Sequence, residues 1–244
     1  MDHILDNPVW NALITGNKDL SQGDDGVRLY PADVAPFAGL KEISTGNFEL
    51  LYERVPPERV VAVVTAKDIL IPDNWKIIHR TQLFQMVCND PQQQPARRYD
   101  LIPLDDSHIP AMLELTAMTN PGPFYEKTIR FSNYYGIFDQ HKLVAMAGFR
   151  FHVGEYIEIS AVCTHPDYLR RGYAGALILH LAKRIYVRGS TPFLHTRTDN
   201  TSAIRLYEQL GFSVRHEMTI HIIKKEPHSE RSVSTGLDRA ARKA

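Results

Sequence analysis

The chain has 244 residues, of which 43% are hydrophobic and 23% charged, enough for one large domain or two ordinary ones. Its 28 Lys and Arg residues balance 28 Asp and Glu residues, and this zero formal charge argues against a nucleic-acid-binding protein. No apolar run approaches the roughly 20 residues that span a bilayer, and the N-terminus lacks a signal-peptide pattern, so we expect a cytoplasmic protein without membrane partners.

Metal and disulfide chemistry have little sequence support. Cys88 and Cys163 are the two cysteines, too few for a disulfide scaffold or a zinc site. The eleven histidines are scattered and form no H-E-x-x-H pattern. We therefore predict that the protein holds no metal.

Residues 1–95 read as a small α+β domain without a chemical motif. Asn7 and Pro8 have the residue types of an N-cap and first helical position, and so predict a short helix. Three later segments are rich in β-branched and aromatic residues and are predicted as strands: FELLYERV (48–55), ERVVAVVTA (58–66) and WKIIHRTQLFQMV (75–87).

The stretch CNDPQQQPARRYD (88–100) interrupts the apolar pattern and predicts a linker. A second domain is expected over 98–225, followed by a loose polar tail over 226–244.

The second half alternates strand and helix patterns. YDLIPL (99–104) predicts a strand, and DSHIPAMLELTAM (106–118) predicts a helix that Asp106 or Ser107 opens. Two strands turning near 139–141, a strand over 155–165, a helix over 174–185, a strand over 192–198, a helix over 200–210 and a last strand over 212–225 follow. The order predicts an α+β (α/β) fold.

The turn between the strand at 155–165 and the next helix has the composition of an anion site. Unpaired N–H groups and the helix dipole favour negative charge there, and Gly172 lets a phosphate approach the backbone closely. Arg170 and Arg171 add positive charge. The turn therefore predicts a phosphate or pyrophosphate ligand, and the alternative is an ordinary strand–helix turn with solvated arginines.

Two segments, ISAVCTHPDYLRRGYAGALIL (159–179) and TRTDNTSAIRLYEQLGF (196–212), resemble the GNAT superfamily of acyl-CoA-dependent N-acetyltransferases. The family's Q/R-x-x-G-x-G/A pattern falls on Leu169 to Ala174, and Leu169 departs from it. The resemblance covers about 98–224. It implies a mixed central sheet with flanking helices and a splayed strand pair that holds acetyl-CoA as co-substrate. By analogy with two-part members, the N-terminal half would be a degenerate GNAT-like unit.

The resemblance also implies the cofactor-binding residues. Backbone groups of the strand before the turn would pair with the pantetheine amides, the N–H of Val162 would face the thioester oxygen, and the turn would hold the pyrophosphate. The implied residues are Val162, Cys163, Thr164, Arg170, Arg171, Gly172, Tyr173, Ala174, Gly175, Asn200 and Ala203. Asn200 is also expected to cap its helix.

Two residues are candidates for catalysis. Glu158 is the candidate general base, directly or through water, because even spacing on one strand puts it on the same face as Val162; Glu155 is the second choice. Tyr207, in the family's N-x-x-A-x-x-x-Y-x-x-x-G-F pattern, would protonate the leaving thiolate. Cys163 is expected to be a buried structural thiol, and the resemblance implies that Phe124 and Tyr125 border the acceptor pocket.

The predicted function is N-acetyl transfer from acetyl-CoA to a small-molecule or peptide amine by direct attack. A non-catalytic acyl-CoA-binding or regulatory module is the alternative. A nucleotide-binding α/β protein is disfavoured because the chain has neither G-x-G-x-x-G nor a Walker lysine. The protein could be a monomer or a homodimer.

Overall fold

A computed structural model of the chain describes residues 3–91 and 99–226. The helices are α1 (Pro8–Ile14), α2 (Thr45–Arg54), α3 (Ile109–Thr119), α4 (Tyr173–Tyr186) and α5 (Thr201–Gln209). The strands are β1 (Gln22–Gly23), β2 (Val27–Leu29), β3 (Ala38–Leu40), β4 (Val60–Thr65), β5 (Trp75–Val87), β6 (Ile102–Pro103), β7 (Tyr135–Asp139), β8 (Lys142–Val153), β9 (Tyr156–Thr164), β10 (Thr191–Arg197) and β11 (Ser213–Lys225).

Eight strands form one mixed sheet in the order β4-β11-β5-β10-β9-β8-β7-β6. The β9–β10 pair is parallel, and the other pairs are antiparallel. Helices α1 and α3 cover one face of the sheet, and α4 and α5 cover the other. Strands β1 to β3 form a small sheet that packs with α2 in a third apolar cluster. The predicted α+β fold with a mixed sheet and flanking helices is confirmed.

Both halves of the chain contribute strands to the large sheet. Strand β5 lies between β10 and β11 and pairs with both, while β4 pairs with the outer edge of β11. The two-domain division stays a prediction, but β10 and β11 depend on a strand from residues 1–95 for their hydrogen bonds. Residues 92–98 of the predicted linker and the predicted tail from 227 onward lie outside the described residues.

Most predicted elements are confirmed, and one is wrong. The bounds of β5 are those predicted, and the short N-terminal helix and the helix near 200–210 are present. FELLYERV, however, lies in helix α2, because Phe48, Leu51 and Val55 recur at helical spacing and are buried together. Ser44 caps this helix by accepting a hydrogen bond from the Asn47 amide.

The elements just after the linker differ in detail from the prediction. Only Ile102 and Pro103 of YDLIPL pair as a strand. Residues 106–108 form a short 3₁₀ turn before α3, and the residue that caps this turn is Asp105, whose side chain accepts from the Ser107 amide. No helix in the described parts of the chain is long and apolar enough to cross a membrane.

Candidate active site

A gap opens between β9 and β10 in the middle of the sheet. The two strands pair at three registers, of which Glu158 opposite Phe193 is the last. Beyond this point β10 continues along β5 as far as Arg197 opposite Leu83, while β9 continues along β8. The two strands thus form the splayed pair that the resemblance implies, with its narrow end at Glu158.

A β-bulge changes which way the side chains of β9 point. Ala161 has φ of 52°, and the pairing with β8 slips by one residue there. Ala161 and Cys163 pack in the core under α1 and α3, whereas Val162 packs against the α4–α5 core. Glu158 is on the α1 side, so the prediction that it shares a face with Val162 is wrong. The extra residue of the bulge reverses the alternation.

The turn before α4 lies at the open end of the gap. Arg170 and Gly172 both have left-handed backbone conformations, with φ of 61° and 84°. Among the described residues, no backbone N–H from Arg170 to Gly175 donates to an acceptor of the chain. Six consecutive donors at the start of a 14-residue helix fit an anionic group. The predicted cofactor residues of the turn therefore form one continuous row of backbone donors.

Aromatic side chains hold this turn from both sides. The Tyr99 hydroxyl donates to the Arg171 carbonyl oxygen, and the Tyr99 ring contacts the Tyr173 ring edge-on at 5.0 Å. The Arg171 guanidinium lies 4.6 Å from the centre of the Tyr168 ring. Tyr168 in turn donates to Asp139 at 2.6 Å. The sequence analysis missed Tyr99 and Asp139 because they come from other parts of the chain.

Helix α5 contains the predicted site residue Tyr207, and the predicted site residue Asn200 directly precedes it. Asn200 caps the helix by accepting a hydrogen bond from the Ala203 amide at 3.2 Å, as predicted. Tyr207 is buried, and its hydroxyl makes no hydrogen bond to any described residue. Burial raises the pKa of Tyr207 to about 12, so the phenol stays protonated at neutral pH. Such a phenol can donate a proton or a hydrogen bond but is not a base.

Glu158 is fully buried and ion-paired. Both of its carboxylate oxygens accept from Arg150, at 2.6 and 2.7 Å, and Oε1 also lies 2.7 Å from Nδ1 of His195. Burial by itself would raise the pKa of Glu158, but the charge and hydrogen bonds of Arg150, together with the hydrogen bond to His195, lower it to about 2. A carboxylate this stable is a poor proton acceptor. This environment weighs against the predicted role of Glu158 as general base.

The low pKa of Glu158 predicts that the stability of the fold depends on pH. A carboxyl whose pKa falls from the ordinary 4.5 to about 2 on folding stabilises the fold above pH 4.5, by about 3 kcal/mol, and this contribution is lost as the pH falls toward 2. We expect Glu158→Gln to lower the free energy of unfolding at pH 7, with the deficit shrinking between pH 4.5 and 2. Urea unfolding across this range measures it. A deficit that does not change with pH would contradict the ion pair.

The other predicted site residues differ in their burial. Cys163 is buried, and burial raises its pKa to about 11, which fits an inert thiol. Thr164 has a buried hydroxyl oxygen with no partner among the described residues. Glu155 is exposed at the turn before β9. Phe124 packs edge-on against Tyr134 at 5.7 Å.

A cavity of about 1010 Å³ lies over the N-terminal half, lined by residues from 3–11, 41–48 and 64–72. None of the predicted site residues lines it. Asp6, at its edge, accepts from Arg215 at 2.5 Å. Within the described residues, no group of three or more His, Cys, Asp or Glu side chains is arranged to hold a metal.

Comparisons with known proteins agree with this architecture. The family model described as "FR47-like protein" matches residues 134–221. The ribosomal protein bS18-alanine N-acetyltransferase of Escherichia coli K12 is 31% identical over 117 residues, which cover 45% of this chain and 78% of that protein.

Solved structures extend the similarity to nearly the whole chain. An acetyltransferase assigned to the GNAT family from Novosphingobium aromaticivorans is 32% identical, with a TM-score of 0.85 over 92% of this chain and all of that one. A GCN5-related N-acetyltransferase from Kribbella flavida, 14% identical with a TM-score of 0.64 over 92% of this chain and 97% of that one, shares the fold.

The chain belongs to the GNAT superfamily. Within that superfamily it is an acetyltransferase, that is, an enzyme of the acyltransferase class.

Proposed function

We propose that this enzyme transfers the acetyl group of acetyl-CoA to the α-amine of a peptide. The observation that carries the proposal is the β9–β10 gap, which has at its open end a row of N–H donors without acceptors among the described residues. A ligand with an anionic head and an extended amide-bearing arm fits this arrangement, because the donors suit phosphates and an unpaired strand suits the arm.

The chain's own residues would bind this co-substrate in three places. The turn from Arg170 to Gly175 would hold the pyrophosphate through its N–H groups. The backbone of β9 from Val162 to Thr164 would pair with the arm, with the Val162 N–H toward the thioester oxygen. The buried Thr164 hydroxyl, which has no partner among residues 3–91 and 99–226, supports a polar ligand there. Asn200 would contact the arm with its side-chain amide, since its Oδ1 already caps α5.

The site supports direct attack of an amine on a thioester. Tyr207 has a protonated hydroxyl with no hydrogen-bond partner in the described parts of the chain, which suits a group that donates to sulfur as negative charge develops there. The amine must be neutral to attack. Glu158 is too weakly basic to remove its proton readily. The acceptor amine must therefore itself have a low pKa or give its proton to another group.

This requirement favours an α-amine as acceptor. The pKa of an α-amino group is about 7.7–8.0, so about a third of it is neutral near pH 7.5, compared with about one lysine side chain in a thousand. The relative from Escherichia coli is named for its action on an alanine of a ribosomal protein. Both considerations make a short peptide with a free N-terminus the first acceptor to test.

Tyr207→Phe tests the role of the phenol. We expect kcat to fall about 100-fold or more, because the thiolate then leaves without a proton donor, while acetyl-CoA affinity stays unchanged. Thiol release with a peptide acceptor measures kcat, and calorimetry measures affinity. Tyr186→Phe, at an exposed position on α4, is the matched control. Equal rates for the two variants would contradict the assignment.

A non-catalytic acyl-CoA-binding module is the second candidate, and one observation favours it. Leu169 is 56% exposed at the position where the family's pattern has Gln or Arg. Acetyl-CoA binding without turnover on any amine would select this alternative.

A further inference from the structure

The backbone of the turn before α4 is held in an unfavourable conformation. Arg170 has φ of 61°, in the left-handed region where a Cβ crowds the following carbonyl oxygen, and Gly172 has φ of 84°. The six N–H groups from 170 to 175 have no acceptor among the described residues. A backbone of this kind persists only where surrounding contacts hold it. The contact that holds this turn therefore bears on how the turn binds its ligand.

One side chain from a distant part of the sequence reaches the backbone of the turn. The Tyr99 hydroxyl donates to the Arg171 carbonyl oxygen, and a Cβ built on Gly172 would lie 3.5 Å from the same hydroxyl. Among the described residues, no other side chain forms a hydrogen bond to the backbone of 170–172. Tyr99 precedes Arg171 by 72 positions and lies outside both segments that resemble the family.

Tyr99 is itself fixed by packing. Its ring meets the Tyr173 ring edge-on at 5.0 Å, with an interplanar angle of 88°, and both rings pack against the α4–α5 core. Two residues further on, Leu101 packs against the same core, and Ile102 pairs with Gly136 of β7. The hydroxyl therefore contacts the turn from a fixed position on the core.

The planar peptide bond converts this contact into a direction for the next N–H group. No peptide bond in the described parts of the chain is cis, and in a trans peptide the C=O and N–H groups point in opposite directions. Because Tyr99 holds the carbonyl oxygen of Arg171, the N–H of Gly172 points away from Tyr99. This N–H is the third of the six donors, and a pyrophosphate that it binds has to lie on that side of the turn.

We propose that Tyr99 is a positioning residue for the co-substrate, and that its hydroxyl aims the Gly172 N–H toward the pyrophosphate before acetyl-CoA binds. This inference rests on the proposed function. Tyr99 acts through the backbone of the turn and not by contact with the phosphates. Part of the turn is then already in its bound conformation, which reduces the ordering that binding requires. The motif residue Leu169 has an exposed apolar side chain and offers no polar group for this purpose.

Tyr99→Phe keeps the ring and removes only the hydroxyl. We expect the dissociation constant for acetyl-CoA to rise about 10-fold, the effect of one lost hydrogen bond, while kcat at saturating acetyl-CoA stays unchanged. This is the reverse of the result expected for Tyr207→Phe, which lowers kcat at constant affinity. Calorimetric titration and thiol release measure the two quantities. Tyr156→Phe is the matched control, because its hydroxyl lies 3.4 Å from Nε2 of His3, at the other end of β9 from the turn.

A truncated co-substrate separates positioning of the turn from a general loss of structure. S-acetylpantetheine has the thioester and the amide-bearing arm but no phosphate. Because Tyr99 acts on the phosphate-binding donors alone, kcat/KM for S-acetylpantetheine should be the same in the wild type and in Tyr99→Phe. For acetyl-CoA, kcat/KM should fall about 10-fold in the variant. An equal loss with both co-substrates would show that the substitution disturbs the whole site.

The free enzyme provides a test that does not depend on turnover. Nitrogen relaxation of the Gly172 amide measures the order of the turn on the picosecond-to-nanosecond timescale. We expect the Gly172 order parameter to be lower in Tyr99→Phe than in the wild type, and acetyl-CoA to remove this difference. Gly189 also has a positive φ and lies at the other end of α4, so its amide is the internal control and should not change.

Three results would overturn the role of Tyr99. They are equal acetyl-CoA affinities of the wild type and Tyr99→Phe, an equal loss of kcat/KM with S-acetylpantetheine, and an unchanged Gly172 order parameter in the free variant. In each case the proposed function survives if the wild type binds acetyl-CoA and acetylates a peptide amine. A wild type that does not bind acetyl-CoA would remove the proposed function and this role with it.

Discussion

Gly172→Glu is expected to weaken acetyl-CoA binding at least about 100-fold, which corresponds to about 2.7 kcal/mol. Gly172 has φ of 84° in the row of N–H donors before α4. A glutamate there strains the left-handed backbone and brings a negative charge to the place proposed for the pyrophosphate. Both effects act on the turn, so calorimetric titration should detect the loss directly.

Gly189→Glu is the matched control for this variant. Gly189 has φ of 76°, a similar conformation, and a Cβ added there would meet no atom within 4 Å. It lies after α4, at the other end of the helix from the turn. We expect this variant to bind acetyl-CoA as the wild type does. Equal affinities for the two glutamate variants would contradict the phosphate site.

A fragment of residues 98–225, which spans all the recognisable family motifs, is expected not to fold alone. Removing β5 leaves β10 and β11 without the strand that pairs with both, over five registers on one side and twelve on the other. Two strand edges and the adjoining core would be exposed to water. Circular dichroism and amide hydrogen exchange should show an unfolded or aggregated fragment.

Adding residues 1–95 as a separate polypeptide gives the control for this experiment. If the missing strand is the cause, the mixture should regain a cooperative thermal transition, because β5 can pair between β10 and β11 from a second chain. A fragment 98–225 that melts cooperatively by itself would contradict the dependence on β5 and would support two independent domains.

The sequence was most informative where function depends on local residues. Short-range spacing predicts three features that each depend on a few neighbouring residues. They are the turn at 170–175, the helix cap at Asn200 and the position of Tyr207 on α5. The strand pattern of β5 was clear for the same reason. The helix α2 was mistaken for a strand because aromatic and apolar residues suit both, and the spacing of Phe48, Leu51 and Val55 was the signal that identified it.

Long-range features could not be predicted in this way. Strand pairing places β5 between β10 and β11, and nothing within the strand states its partners. The bulge at Ala161 depends on how β8 pairs with β9, and it reverses a face assignment made from even spacing. The predicted base, Glu158, contacts Arg150 and His195 only once strands β8, β9 and β10 have paired in the folded sheet. Its environment, which decides its chemistry, was therefore invisible in the sequence.

The measurement that tests the account most directly is mass spectrometry of short peptides incubated with the enzyme and acetyl-CoA. One peptide has a free N-terminal alanine, and its partner has a blocked N-terminus and a lysine. We predict that the first gains one acetyl group on its α-amine, far faster with the wild type than with Tyr207→Phe. No acetylation of either peptide by an enzyme that binds acetyl-CoA, or acetylation of the lysine alone, would contradict the proposed acceptor chemistry.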